Sequence, residues 1–344
     1  MQKRVITLIG AGLALAVHPA AGQNPNASQV VQNNQQRRQF DSSLNGTNAP
    51  ELYTGETADL GPQTVLDLHP RRWHLLAAAD EQMYFTDNMF LDQSLREHTD
   101  VNVSTIQAAL EAPSLKVLGG DLTARAGFQM QWFTYGLFNN GHITAVNLNF
   151  PKGAFFNSRF TATLDTFDFN AQTAFGDVTW TRDNWLVIFG FDFQRLTDSA
   201  NYNEFYREYT PNLTVEKTFP LFSRLSASVG YQADIRFTIS PNPPPNLGTD
   251  LNNRSDQAIY GLVNFKLCDH CIVQPYYRFQ FAYYSGQRRD DYLNTCGLNL
   301  LVPINKNVGL RVYYSYQWLD TDGQYTVGYK EMEGGVGASL NFRF

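Results

Sequence analysis

The chain has 344 residues, 26 Lys and Arg against 32 Asp and Glu, and a net charge of −6. Aromatic residues reach 14% while charged residues reach only 17%, below the roughly 25% of an average soluble domain, and mean hydropathy is −0.33. These values exclude a collagen-like, coiled-coil or wholly disordered protein, argue against a bundle of transmembrane helices, and fit a chain that alternates apolar with polar residues.

The first predicted element is a targeting segment. Lys3 and Arg4 precede an apolar run, Val5–Val17, and the small residues Ala20, Ala21 and Gly22 precede a polar stretch. That is the pattern of a secretory signal peptide over 1–22; the run is too short for a bilayer-spanning helix, which needs about 20 residues. Loss of Lys3 and Arg4 takes 26 basic residues to 24 against 32 acidic, a net charge of −8. A surplus of acid argues against a nucleic-acid partner, which calls for a basic stripe. Residues 23–71 begin with an Asn/Gln/Ser-rich stretch that has little to bury. They are expected to form a poorly ordered periplasmic arm, or to fold back as a plug.

From 73 to 344 the hydrophobic period is two. The clearest case is 224–239. Leu225, Ala227, Val229, Tyr231, Ala233, Ile235, Phe237 and Ile239 share one face; Arg224, Ser226, Ser228, Gly230, Gln232, Asp234, Arg236 and Thr238 share the other. An ordinary strand has about 5–6 residues, whereas a tilted strand crossing a membrane needs about 9–11 in hydrocarbon alone. The same alternation predicts strands over 73–86, 103–112, 121–137, 167–180, 185–197, 205–219, 224–239, 256–267, 272–285, 291–302, 308–319 and 329–344. The fold class is therefore all-β: an antiparallel transmembrane barrel of twelve strands, apolar side out. The alternative is fourteen strands, with an additional hairpin in 138–166. Short turns near 181–184, 220–223, 268–271 and 303–307 alternate with longer loops, as short periplasmic turns and long outer loops should.

The last strand puts Met332, Gly334, Val336, Ala338, Leu340, Phe342 and Phe344 on one face. Its final GASLNFRF resembles the closing strand of Gram-negative outer-membrane β-barrels. TDNMFLD (86–92) and QPYYRFQFAYYS (274–285) are similar to segments of porin-like members of that group. The resemblance implies an outer-membrane location, a lipid surround, and recognition of the C-terminal strand by the barrel-assembly machinery, with Phe344 as the assembly signal. It carries over no solute site.

A half-polar strand is stable in a bilayer only in a closed ring whose polar side chains meet water or one another. The polar face is therefore expected to line a lumen, with Arg125, Arg224, Arg236, Lys266, Arg278, Arg311 and Arg343 set against Asp177, Asp192, Glu208, Glu216, Asp234, Glu331 and Glu333. Tyr276 and Tyr313 stand on the same face. Opposite charges in equal number predict a narrow passage filled by pairing rather than a strongly ion-selective pore. The expected function is passive diffusion of small polar solutes.

Cys268 and Cys271 flank a tight turn outside the cytosol and are candidates for a local disulfide. A zinc site would need two more convergent ligands, so neither metal nor cofactor is expected. A barrel lipid hydrolase needs a Ser–His pair oriented by a third polar group. His74 is the one histidine placed on a strand, and no serine shares its face at catalytic spacing. An enzyme is not expected. A structural or adhesive barrel without an open pore is the remaining alternative.

Overall fold

A computed structural model of the chain describes residues 73–89, 98–136, 168–199, 202–239, 252–268, 271–286, 288–305, 307–322 and 328–344. The expected signal peptide, the 23–71 arm and the 138–166 stretch lie outside the described residues.

Among the described residues thirteen strands follow one another: β1 (His74–Thr86), β2 (Thr99–Glu111), β3 (Leu115–Val117), β4 (Gly120–Tyr135), β5 (Phe169–Arg182), β6 (Trp185–Asp198), β7 (Glu204–Phe222), β8 (Leu225–Ile239), β9 (Arg254–Cys268), β10 (Cys271–Tyr284), β11 (Arg289–Pro303), β12 (Val308–Thr321) and β13 (Lys330–Arg343). Each long strand pairs antiparallel with its neighbours. The ring closes where β1 meets β13, in register from Leu76↔Arg343 to Thr86↔Glu333. At that seam the backbone of Leu75 and Phe344 exchange hydrogen bonds of 3.2 and 2.9 Å. β2 pairs directly with β4, and β3 is a stub folded onto β4 within the connection between them. The closed wall therefore has twelve strands.

The fourteen-strand alternative is corrected by the β4–β5 pairing, which runs unbroken from Asp121↔Thr181 to Phe133↔Phe169. A strand has two hydrogen-bonding edges. Those of β4 are taken by β2 and β5, and those of β5 by β4 and β6, so no hairpin enters the wall there. The predicted turn at 220–223 also shifts. β7 continues to Phe222, and Pro220, which cannot donate to a ladder, sits where the β7–β8 register slips; a bulge is where a sheet accepts proline.

The two faces separate as the period of two requires. Along β8 the odd-numbered residues Val229 (52% exposed), Ile235 and Phe237 face outward, while Ser228, Asp234 and Arg236 are buried. Phe128, Phe189, Ile259, Leu298, Val312 and Val336 continue the outer apolar surface on other strands. Among the described residues no helix is long and apolar enough to cross a membrane; this barrel would cross with its strands. A closed, even-numbered antiparallel wall with an apolar exterior is the build of a membrane-spanning β-barrel. One rim carries the short turns and both ends of the wall, His74 and Phe344; the other carries the longer connections.

Candidate functional site

The candidate site is the inner face of the wall. On a concave surface, side chains of strands two apart converge, so an inward residue can reach over its neighbour if that neighbour is small. Inward glycines provide the gaps. Tyr260 of β9 lies across Gly230 of β8, where a Cβ would come within 2.1 Å of the ring, and donates to Glu216 of β7 at 2.8 Å. Arg311 of β12 crosses Gly337 of β13 and donates to Asp80 (2.8 Å) and Gln82 (2.6 Å) of β1. Tyr313 crosses Gly335 and meets Gln82, and Tyr276 covers Gly297. These crossings fix the inner face independently of exposure.

The densest part spans β7 to β11 near the loop-bearing rim. Arg236 is 5% exposed and pairs with Glu208 (2.5 Å), Asp256 (2.6 Å) and Asp234 (2.9 Å). Arg254 shares Asp256 at 3.0 Å. Tyr206 and Thr210 donate to Glu208 at 2.5 and 2.7 Å. The Tyr284 ring lies between two guanidinium groups, Arg289 at 3.7 Å and Arg254 at 5.4 Å from its centroid. Arg289 in turn pairs with Asp291 at 2.9 Å. Every strand of this arc contributes to one connected network.

Arg278 differs. Its terminal nitrogens donate to two amide oxygens, of Gln232 (2.9 Å) and Gln280 (3.3 Å), and its buried Nε has no partner among the described residues. Across β12, β13 and β1 the carboxylates predominate. Glu331 accepts from Thr86 at 2.5 Å and from Gln317, and Glu333 accepts from Ser315 at 3.3 Å.

The residues predicted for the lumen are thus distributed unevenly. Glu208, Asp234, Arg236, Tyr276, Arg278, Tyr313 and Glu333 are buried on the inner face. Arg311 joins them with a side chain 12% exposed. Arg125 pairs with Asp177 at 3.0 Å, and Asp192 accepts from Asn212 at 3.2 Å. Arg224 stands in the β7–β8 turn, Lys266 near the end of β9, and Arg343 at the end of β13, where it reaches Glu111 at 2.7 Å. These three belong to the turn-bearing rim.

The expected equality of charge is corrected accordingly. Those three cations leave the deep wall, while Asp80, Asp256 and Asp291 enter it, accompanied only by Arg254 and Arg289. Carboxylates outnumber guanidinium groups on the described inner face. Of the residues missed from sequence, Arg254 and Arg289 sit at strand ends that read as loop, while Asp80, Asp256 and Asp291 lie within predicted strands. Arg254 and Asp256, like Arg289 and Asp291, continue the i, i+2 spacing of their strands, and that continuation was the available signal.

The opposite arc of the interior holds an apolar cluster. Tyr84, Val101, Val103, Phe133, Tyr135, Phe169, Ala171, Leu196 and Tyr206 form one buried cluster, with Phe133 and Phe169 stacked 4.4 Å apart.

Cys268 and Cys271 are Cα partners across the β9–β10 turn and are free thiols. Cys296 lies on β11 directly opposite Tyr277 on the outer face. His74 contacts the Phe344 carbonyl at 3.2 Å. His98 is exposed, and His69, His142 and His270 fall outside the described residues.

No family model matches the sequence, and no curated protein is similar enough to count as a relative. Solved structures of membrane barrels do overlap it. An outer membrane channel from Pseudomonas putida F1 is 10% identical, with a TM-score of 0.46 over 78% of this chain and 95% of its own. The β domain of the Bordetella autotransporter BrkA is 12% identical, with a TM-score of 0.42 over 78% and 99%. The KdgM porin in complex with disordered oligogalacturonate is 11% identical, with a TM-score of 0.36 over 77% and 99%. Identities and overlaps this low transfer no residue and no activity.

Proposed function

We propose that the barrel is a porin-like channel through which small polar solutes diffuse passively, along a narrow passage lined by paired charges and tyrosines. The observation that carries this reading is the inner face itself: inside an apolar exterior, buried Arg, Asp, Glu, Gln and Tyr side chains run through β7–β13. A wall that only had to be stable would gain more from an apolar filling, because ion pairs of this kind barely repay their desolvation. Arg278, with a spare donor, is the group best placed to exchange its partners with a passing solute. The surplus of carboxylates favours cations over anions, since rings of Asp and Glu select cations. Outer-membrane lipid surrounds the wall, and the C-terminal strand ending at Phe344 would be the part read by the assembly machinery.

Reconstitution of the full chain in planar bilayers tests the reading. Discrete conductance steps are expected, and in a salt gradient the reversal potential should have the sign of cation preference. Arg278→Gln should increase that preference. A barrel that inserts and stays silent would instead support a structural or adhesive role. That second reading draws on the degree to which Glu208, Asp234, Arg236 and Asp256 are buried against one another.

A further inference from the structure

The outer face of the β6–β7 pair is a ladder of directly opposed residues: Trp185↔Lys217, Val187↔Val215, Phe189↔Leu213, Phe191↔Pro211, Phe193↔Tyr209 and Arg195↔Arg207. The middle rungs are apolar and the Phe193 and Tyr209 rings touch, with centroids 5.1 Å apart. The last rung, toward the loop-bearing rim, sets two arginines side by side. Like charges directly opposite one another destabilise a sheet, and here they share one counter-ion. Glu204 accepts from Arg195 Nε at 2.7 Å and from Arg207 Nη2 at 2.9 Å, while Arg207 Nε lies 2.8 Å from its other oxygen. Two positive charges against one negative leave a net positive charge.

The arginine side chains are 39% and 37% exposed, Glu204 only 17%. The terminal nitrogens of Arg195 have no partner among the described residues. The height of the rung decides what can reach them. At about 3.3 Å per residue and a tilt of about 40°, Trp185 to Phe193 covers roughly 20 Å of bilayer thickness, and Arg195 lies near the edge of a roughly 25 Å apolar band. A guanidinium facing outward at that level meets lipid headgroups, not hydrocarbon. The loop-bearing rim is the outer one, and the outer leaflet of a Gram-negative outer membrane is built from phosphate-bearing glycolipid.

We propose that Arg195 and Arg207, held together by Glu204, form an outward-facing site for the phosphate group of an outer-leaflet glycolipid, whose acyl chains lie along Phe193 and Tyr209. The planar guanidinium groups offer the paired donors that a phosphate accepts. The site uses only the exterior of the wall and does not depend on an open passage.

The test uses the full chain folded in zwitterionic detergent. A diphosphorylated glucosamine-disaccharide lipid, its dephosphorylated counterpart and inorganic phosphate are titrated separately, with bound lipid read by native mass spectrometry. The wild type should bind the phosphorylated lipid about tenfold more tightly than the dephosphorylated one, the scale of one charge-assisted contact. The double variant Arg195→Gln/Arg207→Gln should lose that difference while keeping the heat-dependent gel shift of a folded barrel. Arg195→Lys should retain part of it. Equal binding of the two lipids by the wild type, which needs no variant to fold, overturns the site. So does full retention by the double variant, or competition by inorganic phosphate at the lipid's own concentration, which would mean a bare anion is recognised.

Discussion

Two arcs of the interior solve the same problem differently. From β7 to β11 the inner face is ionic: Arg236 alone holds Glu208, Asp234 and Asp256. Across β1–β6 it holds an apolar cluster, with Val101, Phe133, Phe169 and Leu196 at 0–1% exposure, alongside the buried amides of Gln82, Gln129, Gln131 and Gln194. Tyr206 marks the boundary. Its ring belongs to the apolar cluster and its hydroxyl donates to Glu208. The side chains of both clusters are buried, so each must satisfy or avoid every polar group. One pairs buried charges, and the other packs rings and aliphatic side chains together.

The comparison predicts unequal consequences of substitution. Arg236→Met should have the largest effect, about 3–5 kcal/mol, because three buried carboxylates lose their shared cation at once. Denaturant titration in lipid vesicles, followed by tryptophan fluorescence, measures it. A loss below about 1 kcal/mol would mean that the arc is hydrated and its pairs weak.

Phe133→Ala in the apolar arc should cost about 3 kcal/mol through the cavity it leaves beside Phe169. Raising the salt concentration should leave that cost unchanged, and the same titration at two ionic strengths checks this. Gly230→Ala should cost about 1–3 kcal/mol by overpacking. The added Cβ would force Tyr260 off its line to Glu216, and a further Tyr260→Ala change should relieve most of the strain. An unrelieved loss would show that the glycine serves another purpose.

The smallest effect lies outside both arcs and serves as a baseline. Cys268 and Cys271, paired across the turn, are expected to close to a disulfide in an oxidising compartment. The bridge spans so short a loop that stability should hardly change. Thiol alkylation with and without a reductant reads it directly, and two thiols reactive before reduction would refute it.

How far the sequence could be read follows from the same contrast. Along β8, where an apolar exterior meets a wet-looking interior, every residue of the period-two pattern found its predicted face. The β12 and β13 faces did so too, and twelve strands followed from counting such segments. The pattern weakens where both faces are apolar. Phe133 and Tyr135 look no different from Phe128 and Trp132 by residue type, yet the first pair is buried inside and the second faces out. The strand ends holding Arg254 and Arg289 read as loop because polar residues on an inner face and polar residues in a loop share one composition.

By itself, the sequence determined that strands would alternate apolar and polar sides, narrowed their number to twelve or fourteen, and placed most of their turns. Those are local properties, set by the pleat and by turn chemistry over a few residues. Only the tertiary structure decided which inner side chains meet. Asp80 and Arg311 stand 231 residues apart in the chain and touch because the first strand of the wall lies against the last and a glycine between them leaves room. Contact of that kind depends on ring closure and on the register of strands remote in sequence, which no short stretch of residues encodes.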